Sequence, residues 1–145
     1  KFTPHLIKMA VDESGTITYE PPKDYEQLPV SQENLDAVKR GMIAVVNSED
    51  GTAADQFKDF PFDVAGKTGT SETGREATES SNGLFVCYAP YEKPEIAIAV
   101  VVEHGVWGRE TAPICRDIMM EYFRLNKERQ KKAAYNSEDT IEIIW

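Results

Sequence analysis

The chain has 145 residues, with 25 Asp and Glu against 16 Lys and Arg, a formal net charge of −9 and 41% hydrophobic residues. That is enough apolar material for one globular domain or part of one, and too acidic a balance for nucleic acid or an anionic membrane as the main partner, since both demand a basic footprint. No stretch reaches the roughly 18 apolar residues of a membrane-crossing helix, and the chain opens on Lys1 with no leader-like pattern, so an excised or processed piece is expected.

His5–Val11 and Thr16–Tyr19 are β-compatible runs split by the turn cluster Asp12-Glu13-Ser14-Gly15, which predicts a surface hairpin within residues 1–20. Pro21-Pro22 stops any strand, and a polar connector runs on to Pro29. Ser31 suits an N-cap and Glu33 the first helical turn. Leu35, Val38, Met42, Val45 and Val46 then recur at three- and four-residue spacing, predicting a helix over 32–47 that Asn47–Gly51 ends with turn chemistry. Residues 52–63 predict an irregular loop anchored by Phe57, Phe60 and Phe62.

The segment 64–72 predicts the first strand of an antiparallel sheet, and residues 84–103 two more, the first ended by Pro90. Ile96–Val102 is a run of seven apolar residues between Pro94 and the His104-Gly105 pair, which predicts a strand covered on both faces and central in its sheet. Ala97 and Ala99 share one face with Val101, and small side chains there predict the side on which a helix approaches. That helix is expected over 112–130, with Pro113 in its first turn and a stripe of Ile114, Ile118, Tyr122 and Leu125 flanked by Cys115, Met119 and Phe123. Its basic last turns, Arg124 to Lys132, fit favourable charge at a helix C-terminus in solvent. The tail 126–145 turns acidic and then apolar, and the sequence leaves it open between a late docked strand and disorder. An α+β fold follows, an antiparallel sheet with flanking helices.

The two cysteines, Cys87 and Cys115, are too few for a disulfide scaffold and too far apart for a zinc knuckle. Both are expected as buried thiols that face each other between strand and helix, with a single disulfide open in an oxidising compartment. His5 and His104 lack a helical partner or a nearby carboxylate pair, so neither a metal nor a cofactor is expected.

Gly66-Lys67-Thr68 fails as a phosphate loop, because the glycine required five residues earlier is Pro61. What stands there is Lys67-Thr68-Gly69-Thr70 on a sheet strand, the Lys-Thr-Gly element of penicillin-binding proteins and class A β-lactamases. As a bare tetrapeptide it also fits an edge strand whose lysine discourages aggregation and whose threonines suit a pleated surface. Its surroundings decide otherwise. The Thr3-Pro4-His5-Leu6 stretch before a hairpin, the helix Leu35–Val46, Gly51-Thr52-Ala53, the motif strand, the runs Leu84–Pro90 and Ile96–Glu103 and the final helix resemble, over residues 1–125, the C-terminal half of a class B penicillin-binding protein transpeptidase domain of the elongation and sporulation type.

The resemblance implies a partial penicillin-binding/β-lactamase-like transpeptidase fold, a peptidoglycan stem peptide ending in D-Ala-D-Ala as substrate, and acylation by β-lactams. It implies that Lys67 sets positive charge near the substrate carboxylate, that the Thr68 and Thr70 hydroxyls donate to it, and that substrate lies along the strand edge at Gly69. The backbone N–H of Thr70 would be an oxyanion donor. The parent protein would act outside the cytoplasm, anchored in the bacterial cell membrane by a helix absent here.

Two further motifs of the family should precede Lys-Thr-Gly. Ser-x-x-Lys is absent: serines 14, 31, 48, 71, 80, 81 and 137 are followed three residues later by Ile17, Asn34, Gly51, Gly74, Gly83, Leu84 and Thr140. Ser80-Ser81-Asn82 matches Ser-x-Asn as letters but follows Lys67, and is not that motif. The chain is therefore expected to be an inactive piece of a serine D,D-transpeptidase, lacking nucleophile and base. The alternatives are a non-catalytic module that binds peptide carboxylates or senses β-lactams, and a serine β-lactamase fragment. The strand Ile96–Val102 is expected to present an edge that the missing N-terminal half would pair, so that the isolated chain forms a homodimer, swaps a strand or covers the edge with its tail.

Overall fold

A computed structural model of the chain describes residues 5–23, 25–74 and 80–138. It divides into two units, Lys1–Leu35 and Asp36–Trp145.

In the first unit, β1 (Ala10–Val11) and β2 (Ile17–Tyr19) pair antiparallel, with the register irregular between Ala10 and Val11. The turn is organised by one carboxylate. Asp12 Oδ1 accepts from Ser14 N (2.9 Å), Ser14 Oγ (2.6 Å) and Thr16 N (3.0 Å). Those donors favour the charged form, so the Ser14 hydroxyl first and the Thr16 amide second hold Asp12 below its ordinary range. Gly15 takes the left-handed conformation, φ 82°, that a side chain would resist.

Helix α1 (Gln32–Asn47) begins where expected: Ser31 Oγ accepts from Asn34 N at 3.3 Å. Of its apolar stripe Val46 is buried and Leu35, Met42 and Val45 are half-buried, whereas Val38 is 60% exposed. At its C-terminus Asn47 Nδ2 donates to Ile43 O (2.8 Å) and to Val64 O (2.9 Å), tying the helix end to the residue before the motif strand.

The main sheet has the order β3-β4-β5, from β3 (Ala65–Ser71), β4 (Asn82–Ala89) and β5 (Ile96–Val102), all antiparallel. Register places Thr68 opposite Phe85, and Phe85 opposite Val100; Cys87 likewise faces Gly66 on one side and Ile98 on the other. Helix α2 (Ala112–Glu138), entered through a 3-10 turn at Gly108–Thr111, covers that face. Phe85, Cys87 and Ala89 from β4 join Ala112, Cys115 and Met119 from α2 in one core, with Val64, Phe57, Ala53 and Val46. Rings extend it: Phe57 stacks on Phe85 at 5.8 Å and meets Phe60 edge-on at 5.4 Å, and Phe62 stacks on Phe123 of α2 at 4.1 Å. The three phenylalanines of the loop 52–63 thus anchor it as expected.

Four expectations change. Strand β5 pairs with β4 alone among the described residues, and is not central. Its alternation is half-buried and exposed, with Ile96, Ile98, Val100 and Val102 inward and Ala97, Ala99 and Val101 outward, so the helix lies on the large-residue face. Helix α2 is turned by about one residue from the expected stripe: Cys115 and Met119 are fully buried, while Ile114 and Ile118 are 43% and 44% exposed. Ala112, Cys115, Met119 and Phe123 also recur at three- and four-residue spacing, so periodicity alone permits both faces. Finally α2 continues to Glu138 rather than ending near residue 130, because residues 126–138 contain good helix formers and neither glycine nor proline. Arg124 braces it, reaching Glu121 at 2.6 Å and Glu128 at 2.5 Å. Of the tail assigned to 126–145, the last seven residues lie outside the described ones.

Candidate active site

Strand β3 brings Lys67, Thr68, Gly69 and Thr70 to one side of the second unit, with only one of its edges hydrogen-bonded among the described residues. Alternation sends Thr68 and Thr70 to the same face as Gly66. Gly66 is required there, since a Cβ would lie 2.6 Å from the Phe85 ring. Thr52, in the loop after α1, meets Thr68 hydroxyl to hydroxyl at 2.9 Å. On the other flank Gly108 N donates to Thr70 Oγ1 at 3.2 Å. Thr52, Thr68, Thr70, Trp107, Gly108 and Arg109 line a cavity of about 450 Å³.

A hydroxyl carries one hydrogen and two lone pairs. Thr70 uses a lone pair on Gly108, so its hydrogen remains for a ligand. Thr52 and Thr68 share one hydrogen between their oxygens, which leaves the second. The cavity therefore offers two hydroxyl donors, a suitable pair for the two oxygens of a carboxylate. Lys67 stands apart from this wall: its exposed side chain folds back so that Nζ donates to the Thr68 carbonyl.

The flank that carries Gly108 is held by a clip that the sequence does not announce. Asn82, the first residue of β4, accepts His104 N on its Oδ1 at 3.1 Å, Ser80 O contacts His104 Nδ1 at 3.3 Å, and Ser81 O accepts Val106 N at 3.0 Å. Ser80-Ser81-Asn82, rejected as a catalytic motif on its position, serves to fasten the loop after β5. Thr111, 2% exposed, completes the brace by donating to Gly108 O at 2.7 Å. Thr52, Trp107, Gly108 and Arg109 had no assigned role in the sequence reading. For Thr52 the signal was the Gly51-Thr52-Ala53 segment, and for the other three it was Gly105 and Gly108 bracketing Trp107 between a strand end and Pro113.

With this geometry, the family model described as the penicillin binding protein transpeptidase domain matches residues 1–120. The chain belongs to this family. Among curated proteins it is similar to the peptidoglycan D,D-transpeptidase MrdA of Haemophilus influenzae, at 32% identity over 92% of this chain and 22% of that protein. Among solved structures it is similar to Pseudomonas aeruginosa PBP2 in complex with WCK 5153, at 35% identity and a TM-score of 0.61, covering 74% of this chain and 24% of that one. It is also similar to the penicillin-binding protein PBP2 of Helicobacter pylori in its complex with MreC, at 31% identity and a TM-score of 0.60, covering 67% of this chain and 18% of that one. The chain thus spans about a fifth of the length of the curated relatives it matches. Within a transpeptidase domain it supplies the Lys-Thr-Gly strand and no Ser-x-x-Lys. Among the described residues no helix is long and apolar enough to cross a membrane.

Proposed function

We propose that this chain is the substrate-cradling part of a serine D,D-transpeptidase, which crosslinks peptidoglycan stem peptides through an acyl-enzyme and is acylated by β-lactams. The observation that carries the reading is one cavity on the Lys-Thr-Gly strand of a family member, where the Thr70 hydroxyl accepts from Gly108 N and the Thr52–Thr68 pair bonds oxygen to oxygen, so that Thr70 and that pair each keep one hydrogen to donate. They receive the terminal carboxylate of D-Ala-D-Ala. Lys67 adds positive charge along the same strand, and Gly69 lets the peptide lie as an added strand against the edge of β3 that is unpaired among the described residues. The backbone N–H of Thr70 donates to the oxyanion, a contribution of about 3 kcal/mol to the transition state.

The nucleophilic serine and its activating lysine come from a preceding segment of the same domain. The surface left over supports this partner: β5 has a free edge, Val86 and Val101 are exposed, and the buried Tyr88 Oη has no hydrogen-bond partner among the described residues. The parent works on the outer face of the cell membrane. A fluorescent penicillin tests the reading. Full-length protein should label covalently and stoichiometrically at a serine, and the 145-residue chain alone should not. Stoichiometric acylation of the chain alone would overturn the division of labour, and an unlabelled full-length protein would favour the non-catalytic carboxylate-binding reading.

A further inference from the structure

The loop after β5 adopts backbone that needs a reason. His104 has φ 56° and Val106 φ 64°, and for a β-branched residue the left-handed region is sterically unfavourable. Such conformations persist where neighbouring contacts over-determine them, and they cluster at ligand clamps. Here Ser81 O holds Val106 N (3.0 Å), Gly105 O holds Trp107 N (2.8 Å) and Val102 O holds Gly105 N (3.2 Å). The result is to carry Trp107 and Arg109 onto the wall of the cavity, with Gly108 pressed between them against β3.

Among the described residues Arg109 is the one charged side chain on that wall. Its Nε donates to Glu110 Oε1 at 3.0 Å, which orients the guanidinium, and among the described residues neither Nη has a protein partner. Two free Nη groups are the fork that matches a carboxylate. Trp107 is 59% exposed beside it, an apolar plate facing water.

We propose that Arg109 and Trp107 are specificity-determining residues of this cavity, Arg109 binding the ligand carboxylate that Thr68 and Thr70 also receive, and Trp107 covering the apolar group next to it. The inference rests on the transpeptidase reading above and assigns the cavity's charge to Arg109 rather than to Lys67, whose ammonium is turned onto the strand. It selects ligands with a free carboxylate beside an apolar ring or side chain.

The test uses full-length protein and two probes, a penicillin with its free carboxylate and the methyl ester of the same penicillin, with acylation resolved into a dissociation constant and a rate constant. Arg109→Ala should raise the dissociation constant of the free acid roughly tenfold or more, the scale of hydrogen bonds to a charged group, and leave that of the ester unchanged. Arg109→Lys should recover part of the loss. Trp107→Ala should weaken acid and ester alike, and Trp107→Phe less. Wild-type protein that is acylated normally while Arg109→Ala affects acid and ester equally, or neither, overturns the inference and leaves the transpeptidase reading standing. Wild-type protein that reacts with neither probe overturns both.

Discussion

Gly108 N donates to Thr70 Oγ1 across 3.2 Å, and this bond locks the loop after β5 onto the Lys-Thr-Gly strand. The approach is closer than any side chain allows: a Cβ on Gly108 would stand 2.1 Å from Gly69 O and 2.7 Å from Gly69 N. Both clashing atoms are backbone, so nothing can swing aside. Gly108→Ala should therefore cost about 1–3 kcal/mol, the range for overpacking. Thr70→Val, which removes the acceptor and keeps the shape, should cost about 0.5–1.5 kcal/mol. Urea unfolding of the two variants reads the difference, and an alanine variant at 108 with the wild-type midpoint would show that the loop does not sit against β3.

The sequence made the motif strand and helix α1 legible because each is specified locally, by Lys67–Thr70 with its flanking segments and by Ser31 followed by a 3.6-residue period. The face of α2 was not, because Ile114 and Ile118 outrank Cys115 and Met119 in hydrophobicity while packing around the Phe85 ring chooses the second pair. A seven-residue apolar run likewise signals burial without saying which face, or whether the covering belongs to this chain. Within the cavity, Thr68 and Thr70 were readable from their motif. Trp107 and Arg109 were not, since they reach the cavity through a three-dimensional clip from Asn82 to His104 that spans 22 residues.

Cys87 and Cys115 are free thiols buried side by side in the core between β4 and α2. The hydrogen bond with Cys115, and then burial, push the Cys87 thiol up. An unfolded cysteine loses its proton near pH 8.5 while folded Cys87 keeps it, so above that pH the unfolded chain binds fewer protons. The stability this group contributes is complete below about pH 8.5 and declines as pH rises beyond it, by up to about 1.4 kcal/mol per unit. Urea midpoints between pH 7 and 10 should fall more steeply for wild type than for Cys87→Ala. Equal slopes would mean that Cys87 titrates alike in both states. Native alkylation at pH 8 should be slow, and fast once the chain is unfolded.

Among the described residues β5 leaves one edge unpaired. Ile96–Val102 offers unpaired backbone groups along seven apolar residues, with Val101 61% exposed on its outer face, and no proline or charge within the strand discourages a second strand from adding. Pairing satisfies those groups and sets side chains of the added strand beside the exposed Val101. The isolated chain should accordingly self-associate with rising concentration in sedimentation velocity, through strand pairing or a swap. Val101→Lys, which places a charge on the outer face without touching the Phe85 side of the sheet, should shift the equilibrium toward monomer at little cost to the fold. Hydrogen exchange supplies the independent check, because the β5 amides on the free edge should gain protection as the oligomer forms. A chain that stays monomeric at every concentration with those amides exchanging freely would show that the edge does not drive association.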